Sequence, residues 1–311
     1  DAGAGNTAVI QVMNGKPYLA HYGVVDDPTN IHQVNNTARI QEALNAGGKV
    51  QGIQNATYFL TKEFTVGENT TYYAKQANHK QDSSWTYSGT SYATVIILGD
   101  ASSQTGANLS RCNIVGAIID EAFLGDANVL TDIEDAANYT SIASYGIRAQ
   151  RTDDSYAKNC IVSGMETSGM GAEWSNNFLY QRNRIINSRI HGIANQGGTA
   201  VARSHKVDSN TVIGCGGMAF DINTAAGGTV ELTGNICRNV KQFYKCTLGS
   251  AYSSNNECHS WATRDDTFSA YGNSAGLNAV NDKLFNFARL TASGSQGADY
   301  QWSNITYISD N

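Results

Sequence analysis

The sequence predicts an all-β chain: a right-handed parallel β-helix, a solenoid with three short strands per coil, closed at its amino end by a short capping helix. Three observations carry this. Asparagine recurs in Asn159-Cys-Ile, Asn183-Arg-Ile, Asn210-Thr-Val, Asn235-Ile-Cys and Asn256-Glu-Cys, at intervals of 24, 27, 25 and 21 residues. A second column runs beside it at 23, 23 and 25: Gly146-Ile-Arg-Ala-Gln, Gly169-Met-Gly-Ala-Glu, Gly192-Ile-Ala-Asn-Gln and Gly217-Met-Ala-Phe-Asp. Within each unit the apolar residues alternate, as in Ile147 and Ala149 or Met218, Phe220 and Ile222, which is the period of a strand. Fixed periods of this size mean stacked units, each coil pairing with the next about 4.8 Å away.

Each element follows from a local cue. Residues 36 to 48 read as the capping helix, with Asn36 as N-cap, Ile40, Ala43 and Leu44 on one face, and Gly47 at its end. Such a lid is needed because an open solenoid end exposes apolar side chains and strand edges. Phe178-Leu-Tyr180, His205-Lys-Val207 and Val230-Glu-Leu232 supply a strand before each asparagine. The asparagine itself is expected to tolerate a left-handed bend and to bond its counterparts in the coils on either side, forming an amide ladder. The chain divides into an entry and capping segment (1–60), the β-helix (61–260) and a terminal coil, cap or subunit contact (261–311). That last segment is irregular and carries Trp261, Phe268, Phe285, Phe287 and Trp302, with Asn304-Ile-Thr as a candidate further coil.

Composition narrows the function classes. The 311 residues include 15% charged, 31 Gly and 2 Pro, with a net charge of −6. Net acidity without a Lys/Arg cluster argues against nucleic acid and against a membrane surface. No 18-residue apolar run and no signal-like amino terminus is found, so either a mature chain begins at Asp1 or export takes another route. Among six cysteines no Cys-x-x-Cys pair has zinc spacing. Cys237 and Cys258 stand two residues after a ladder asparagine, where Ile161, Ile185 and Val212 also stand, and so are expected to be free thiols pointing into the coil. Free thiols favour assembly in a reducing cytoplasm. No metal or cofactor motif occurs.

The entry segment carries a resemblance. Tyr22-Gly-Val-Val-Asp-Asp27, Thr37-Ala-Arg-Ile-Gln-Glu-Ala-Leu44 and Asn55-Ala-Thr-Tyr-Phe-Leu60 resemble the entry module of the pectate-lyase-like superfamily, of the phage tailspike and capsule depolymerase type. The likeness spans about 40 residues. Asp26-Asp27 lacks the usual following Gly, and Ala56-Thr-Tyr58 replaces the usual Pro-x-Gly-x-Tyr. The resemblance implies a polysaccharide-facing β-helix, a homotrimer, bacterial capsule or lipopolysaccharide O-antigen as partner, and a place in a virion or outside the cell after assembly in a host cytoplasm. Motifs of related enzymes do not carry over. The Arg-x-Pro-x-x-Arg of pectate lyases, the Asn-Thr-Asp, Gly-His-Gly and Arg-Ile-Lys set of polygalacturonases and the Tyr-Gly-x-Asp-Pro-His of epimerases are all absent.

Phasing the columns places candidate site residues. If Ile147, Met170, Ile193 and Met218 point inward, Arg148, Gly171, Ala194 and Ala219 point outward, beside Gln150, Glu173, Gln196 and Asp221. Amides and acids would then bond sugar hydroxyls above a floor of small residues, making Arg148, Gln150, Gln196 and Gly171 the substrate-binding candidates. Glu173 and Asp221, two coils apart, would stand about 10 Å apart, near the roughly 6.5–9.5 Å of an inverting glycosidase pair. Both could equally be solvated surface acids. Asp208 and Glu231 on adjacent coils form a second acid pair, with Lys206 beside them to neutralise it. Asp153-Asp154 reads as turn chemistry. Arg189 and His191 are the clustered candidates for a lyase base. The residues therefore leave open an endo-acting glycoside hydrolase, a polysaccharide lyase and a non-catalytic receptor-binding fibre or adhesin.

Overall fold

The computed structural model describes residues 18–30, 36–82, 84–85, 93–100, 107–119, 144–165, 167–195, 203–245, 249–260, 269–272, 276–291 and 299–308. Three parallel faces wind around one core. The first face is a 10-stranded sheet running from Gly48–Gln51 to Asp299–Ser303. The second and third faces merge into a 17-stranded sheet, because the strands Thr211–Ile222 and Ile236–Lys245 run round the bend between them. Coil stacking continues through Thr306–Ile308, which pairs with Lys283–Phe285, so Asn304-Ile-Thr does lie in a further coil.

On the first face the alternation is that of a sheet with one dry side. Val207, Val230, Leu232 and Tyr180 enter the core while Lys206 and Glu231 face out. Cys112, Cys160, Cys215, Cys237 and Cys258 are buried thiols outside any disulfide, with Cys237 and Cys258 in register on adjacent coils. Helix α1 (Asn36–Asn45) buries Ile40, Ala43 and Leu44, and the chain leaves it through Gly47 at φ +74°. Asn36 is not a cap. Its side-chain amide accepts from Val25 N–H and donates to Val25 C=O, both at 3.0 Å, and so pins the helix to the extended entry segment.

The amide ladder exists, with two corrections. Asn183, Asn210, Asn235 and Asn256 each donate through Nδ2 to the next member's Oδ1 at 2.9–3.1 Å, and Asn256 donates to Asp282 at 3.0 Å. The position before Asn183 is held by Cys160, whose N–H donates to Asn183 Oδ1, and not by Asn159. Accordingly Val162, and not Ile161, is in register with Ile185. The left-handed bend also belongs to the preceding residue. Asn159, Arg182, Ser209, Gly234, Asn255 and Asn281 all have φ between 54° and 63°. A residue cannot easily turn the chain and also hold its amide along the solenoid axis, so the two tasks fall on neighbours.

The glycine column needs a correction of register. A Cβ on Gly146, Gly169 or Gly192 would lie 2.7–3.0 Å from the carbonyl oxygen of the next member, and that next member after Gly192 is Ala219. Ile193 accordingly pairs with Phe220, and Ala194 with Asp221. Ala219 and Phe220 belong to the core, whereas Met218 is partly exposed. Gly217, Met218 and an outward Ala219 are therefore misplaced by two residues. The 27-residue coil between Asn183 and Asn210 carries that extra pair into the third face.

In the last coils Phe287 is buried, Phe285 stacks on His259 with ring centroids 4.3 Å apart, and Trp302 packs near Tyr271 at 5.3 Å. Trp261 and Phe268 lie outside the described residues.

Candidate functional site on the third face

The third face carries three outward rows. The central row is Ile97, Arg148, Gly171, Ala194, Asp221 and Lys245 on successive coils. One flank holds Thr94, Tyr145, Ser168 and His191, and the other holds Gly99, Gln150 and Glu173. Asp221 thus stands in the central row, two residues away from the row of Glu173. Gln196 lies outside the described residues.

These polar groups are enclosed. All six residues of Ser168–Glu173 are buried, and Glu173 and Asp221 are 2% and 5% exposed. Charges survive such burial only when paired. Arg148 donates to Glu173 Oε2, and His191 Nε2 lies 3.6 Å from Asp221 Oδ2. Glu173 Oε1 and Asp221 Oδ1 are buried with no hydrogen-bond partner among the described residues. Burial pushes the Glu173 carboxyl above its usual range, against the opposing pull of Arg148.

His191 has an assigned tautomer. Met218 N–H donates to Nδ1 at 3.3 Å, so the neutral ring carries its proton on Nε2, toward Asp221. Burial lowers the His191 pKa, Asp221 counteracts it and Lys245 adds to it. Lys245, one coil beyond Asp221 in the same row, is a residue that sequence phasing missed, because a register shift between Cys215 and Met218 moves it one residue off the ladder interval.

Gly171 does not form an open floor for a ring. A Cβ there would lie 2.7 Å from Tyr145 Cε1 and 2.6 Å from Ala194 O, so the tyrosine ring occupies the space the missing side chain leaves. Tyr145 is fully buried yet outside the main core cluster, with the Arg148 guanidinium 5.7 Å from its ring centre.

The second acid pair lies on the first face and is engaged otherwise. Lys206 Nζ is 3.1 Å from Glu231 Oε2, with both side chains about half exposed. Asp208 accepts from Gln181 Nε2 at 2.6 Å and from Ser209 Oγ at 2.8 Å. Asp154, at φ +50°, accepts from Asn177, and Asp153 accepts from Asn108. Both fit turn chemistry. Among the described residues no group of three or more His, Cys, Asp or Glu is placed to hold a metal ion.

No family profile matches the sequence, and no curated protein does. Solved structures resemble it in fold. A tailspike of Acinetobacter phage vb_AbaP_AS12 has a TM-score of 0.58 at 12% identity, over 98% of this chain and 64% of that one. A family 28 exopolygalacturonase of Yersinia enterocolitica has 0.53 at 12%, over 94% and 78%. The surface adhesin PfbA of Streptococcus pneumoniae has 0.51 at 12%, over 94% and 93%. The chain therefore has the parallel β-helix fold that these structures share. At this identity the likeness is one of fold.

Proposed function

We propose that the protein cleaves a bacterial surface polysaccharide by hydrolysis, in the manner of a tailspike depolymerase, with Glu173 and Asp221 as its acid pair. The observation that carries this reading is that each acid has one oxygen facing a basic side chain, Arg148 for Glu173 and the neutral His191 ring for Asp221, and leaves the other without a partner among the described residues, on the same outward face. Asp221 is in register with Gly171, so Glu173 is displaced from it by two coils and two residues. That sets their Cα atoms about 12 Å apart, and Arg148 draws the Glu173 carboxylate to the far side. A pair this wide does not suit the roughly 5–5.5 Å of a retaining enzyme and leaves room for the water of an inverting one. Glu173, its proton affinity raised by burial, would protonate the glycosidic oxygen as the bond to the anomeric carbon breaks. Asp221 would take a proton from the water whose oxygen attacks that carbon. His191 faces Asp221 at 3.6 Å, and Lys245 is in register with it on the next coil.

Burial of both acids favours a second reading, a binding-only β-helix that holds the same class of ligand without turnover. Incubation with purified capsule and O-antigen polysaccharides separates the two. New reducing ends are expected from the wild type, with losses of orders of magnitude in Glu173→Gln and Asp221→Asn. Retention of a polysaccharide without any fragments overturns the hydrolase reading. Unsaturated products absorbing in the ultraviolet would move the chemistry to a lyase centred on Arg189 and His191.

A further inference from the structure

We infer that the first face carries a separate glycan-binding site, built on Tyr252 near the carboxyl-terminal coils, which takes a neutral, hydroxyl-rich saccharide. It shares the ligand class of the proposed function but none of its residues. Lys206, Glu231, Tyr252, Asn278 and Gln301 are in register on five successive coils, forming one outward row of the first face. Tyr252 is 53% exposed, one of the few large apolar side chains to face solvent in the described residues. Its flanks are low: Ser250 and Ser254 lie two residues to either side, and Gly276 is in register with Ser250 on the next coil. The ring therefore stands above its surroundings instead of packing into them.

A depression of about 280 Å³ opens beside it, bounded by Ser250, Tyr252, Gly276, Asn278 and Gln301. That is near the small end of ligand pockets. Gly276 forms its low side, where a Cβ would come 3.3 Å from Ser250 Oγ. The chemistry fits a sugar. An exposed tyrosine offers an apolar face to the C–H side of a pyranose and a hydroxyl at its rim. The two amides, one and two coils away, supply donors and acceptors together, which suits hydroxyl groups. Coils about 4.8 Å apart place these contacts at roughly the pitch of successive sugar rings. The charges in the row, Lys206 and Glu231, satisfy each other at 3.1 Å, so the site has no net charge to recruit an anion.

Affinity electrophoresis in native gels cast with neutral polysaccharides (dextran, galactomannan, or a neutral O-antigen polysaccharide) tests this directly. The Glu173→Gln/Asp221→Asn double variant serves as background, so that cleavage of the gel matrix does not enter. Retardation of that background is expected in at least one gel. Adding Tyr252→Ala should weaken the apparent affinity tenfold or more, and adding Gln301→Ala severalfold. Circular dichroism should stay unchanged, because the tyrosine is already half in solvent. Retardation unaffected by Tyr252→Ala, or no retardation in any gel, overturns the inference. So does light scattering in which Tyr252→Ala dissociates an oligomer, since the ring would then be a subunit contact. Reducing-end release by the Tyr252→Ala single variant reports separately on the acid pair, so failure of one site is distinguishable from failure of the other.

Discussion

Replacing Asn235 by alanine isolates what the amide ladder contributes. The Asn235 side chain is fully buried. It accepts from Asn210 N–H at 2.9 Å and from Asn210 Nδ2 at 3.1 Å, and it donates to Val207 O and to Asn256 Oδ1, each at 2.9 Å. Alanine deprives two Asn210 donors of their acceptor in a dry interior. At about 1–3 kcal/mol for each unsatisfied buried group, the loss is about 2–6 kcal/mol. Asn255→Ala, one residue earlier in the next coil, is the contrast. Asn255 sits in the left-handed region at φ 55°, so alanine there costs about 1 kcal/mol. A stacked array need not unfold in one step, so a single melting temperature is a poor readout. Amide hydrogen exchange resolved to peptides is better. A local loss near 4 kcal/mol lowers protection about a thousandfold where the coil opens. That drop is expected across Asn183–Asn256 for Asn235→Ala and not for Asn255→Ala. Equal protection in the two variants would refute the idea that the ladder, and not the bend, holds the coils together.

Further outcomes follow from other sites. His79 is buried with Nε2 facing Tyr72 OH and Nδ1 facing Ile118 O, and burial lowers its pKa to about 4; His205, buried beside Arg203, is lowered to about 3. The unfolded chain takes up these protons first, near pH 6.5, so stability is full above that value and falls as pH drops toward 4. The loss from His79 alone is on the order of 3 kcal/mol. His79→Phe should flatten that slope in denaturant titrations across pH 4–7, and an unchanged slope would exclude His79 as its source. Gly171→Ala should destabilise by about 1–3 kcal/mol, because Ala194 O cannot move aside, while Gly67→Ala, with open space at its Cβ, should cost less than about 1 kcal/mol. Comparable losses in the two would refute the close-approach argument. Arg148→Met/Glu173→Leu should keep the fold, since buried ion pairs are often replaceable by apolar groups, yet abolish turnover. Activity in that variant would remove Glu173 from the mechanism. Lys206→Ala should change stability by less than about 1 kcal/mol in equilibrium unfolding, its partner being half exposed.

The solenoid was legible because its coils repeat the same chemistry in the same order. Asn183, Asn210, Asn235 and Asn256 could be aligned by eye, and the inward cysteines followed from them. Register failed where a local likeness competed with a longer count. Gly217-Met-Ala looks like Gly192-Ile-Ala, but the coil is longer by two residues, so Ala219 is the true counterpart. The 27-residue spacing of Asn183 and Asn210 held that information, and carrying it into the glycine column would have placed Asp221 opposite Ala194; Lys245 stays hidden even so, because the register shift between Cys215 and Met218 moves it one residue off the ladder interval. Burial of the third face was not legible, because Arg148, Glu173 and Asp221 read as surface residues in any alternating strand. The Tyr145 ring over Gly171 was equally hidden, since its place depends on packing between coils.

The last member of the ladder differs in kind from the others. From Asn183 onward each ladder amide accepts at Oδ1 from the previous coil and gives one Nδ2 hydrogen to the next, its other hydrogen returning to a main-chain carbonyl of the previous coil, so the bonds between members all run one way and the amide dipoles add head to tail along the axis. Such an array has a positive end, as a helix amino terminus does, and there an anion is the suitable neighbour. Asp282 occupies that end. It accepts from the Asn256 N–H and Nδ2, from Ser253 Oγ and from Tyr271 OH, so four donors converge on one carboxyl. An asparagine in its place would present Nδ2 donors onward, where Ile305 follows instead of a ladder residue. A single change from amide to acid thus works as a stop codon does in a reading frame: it tells the coil where the polar spine ends without altering the winding of the backbone around it.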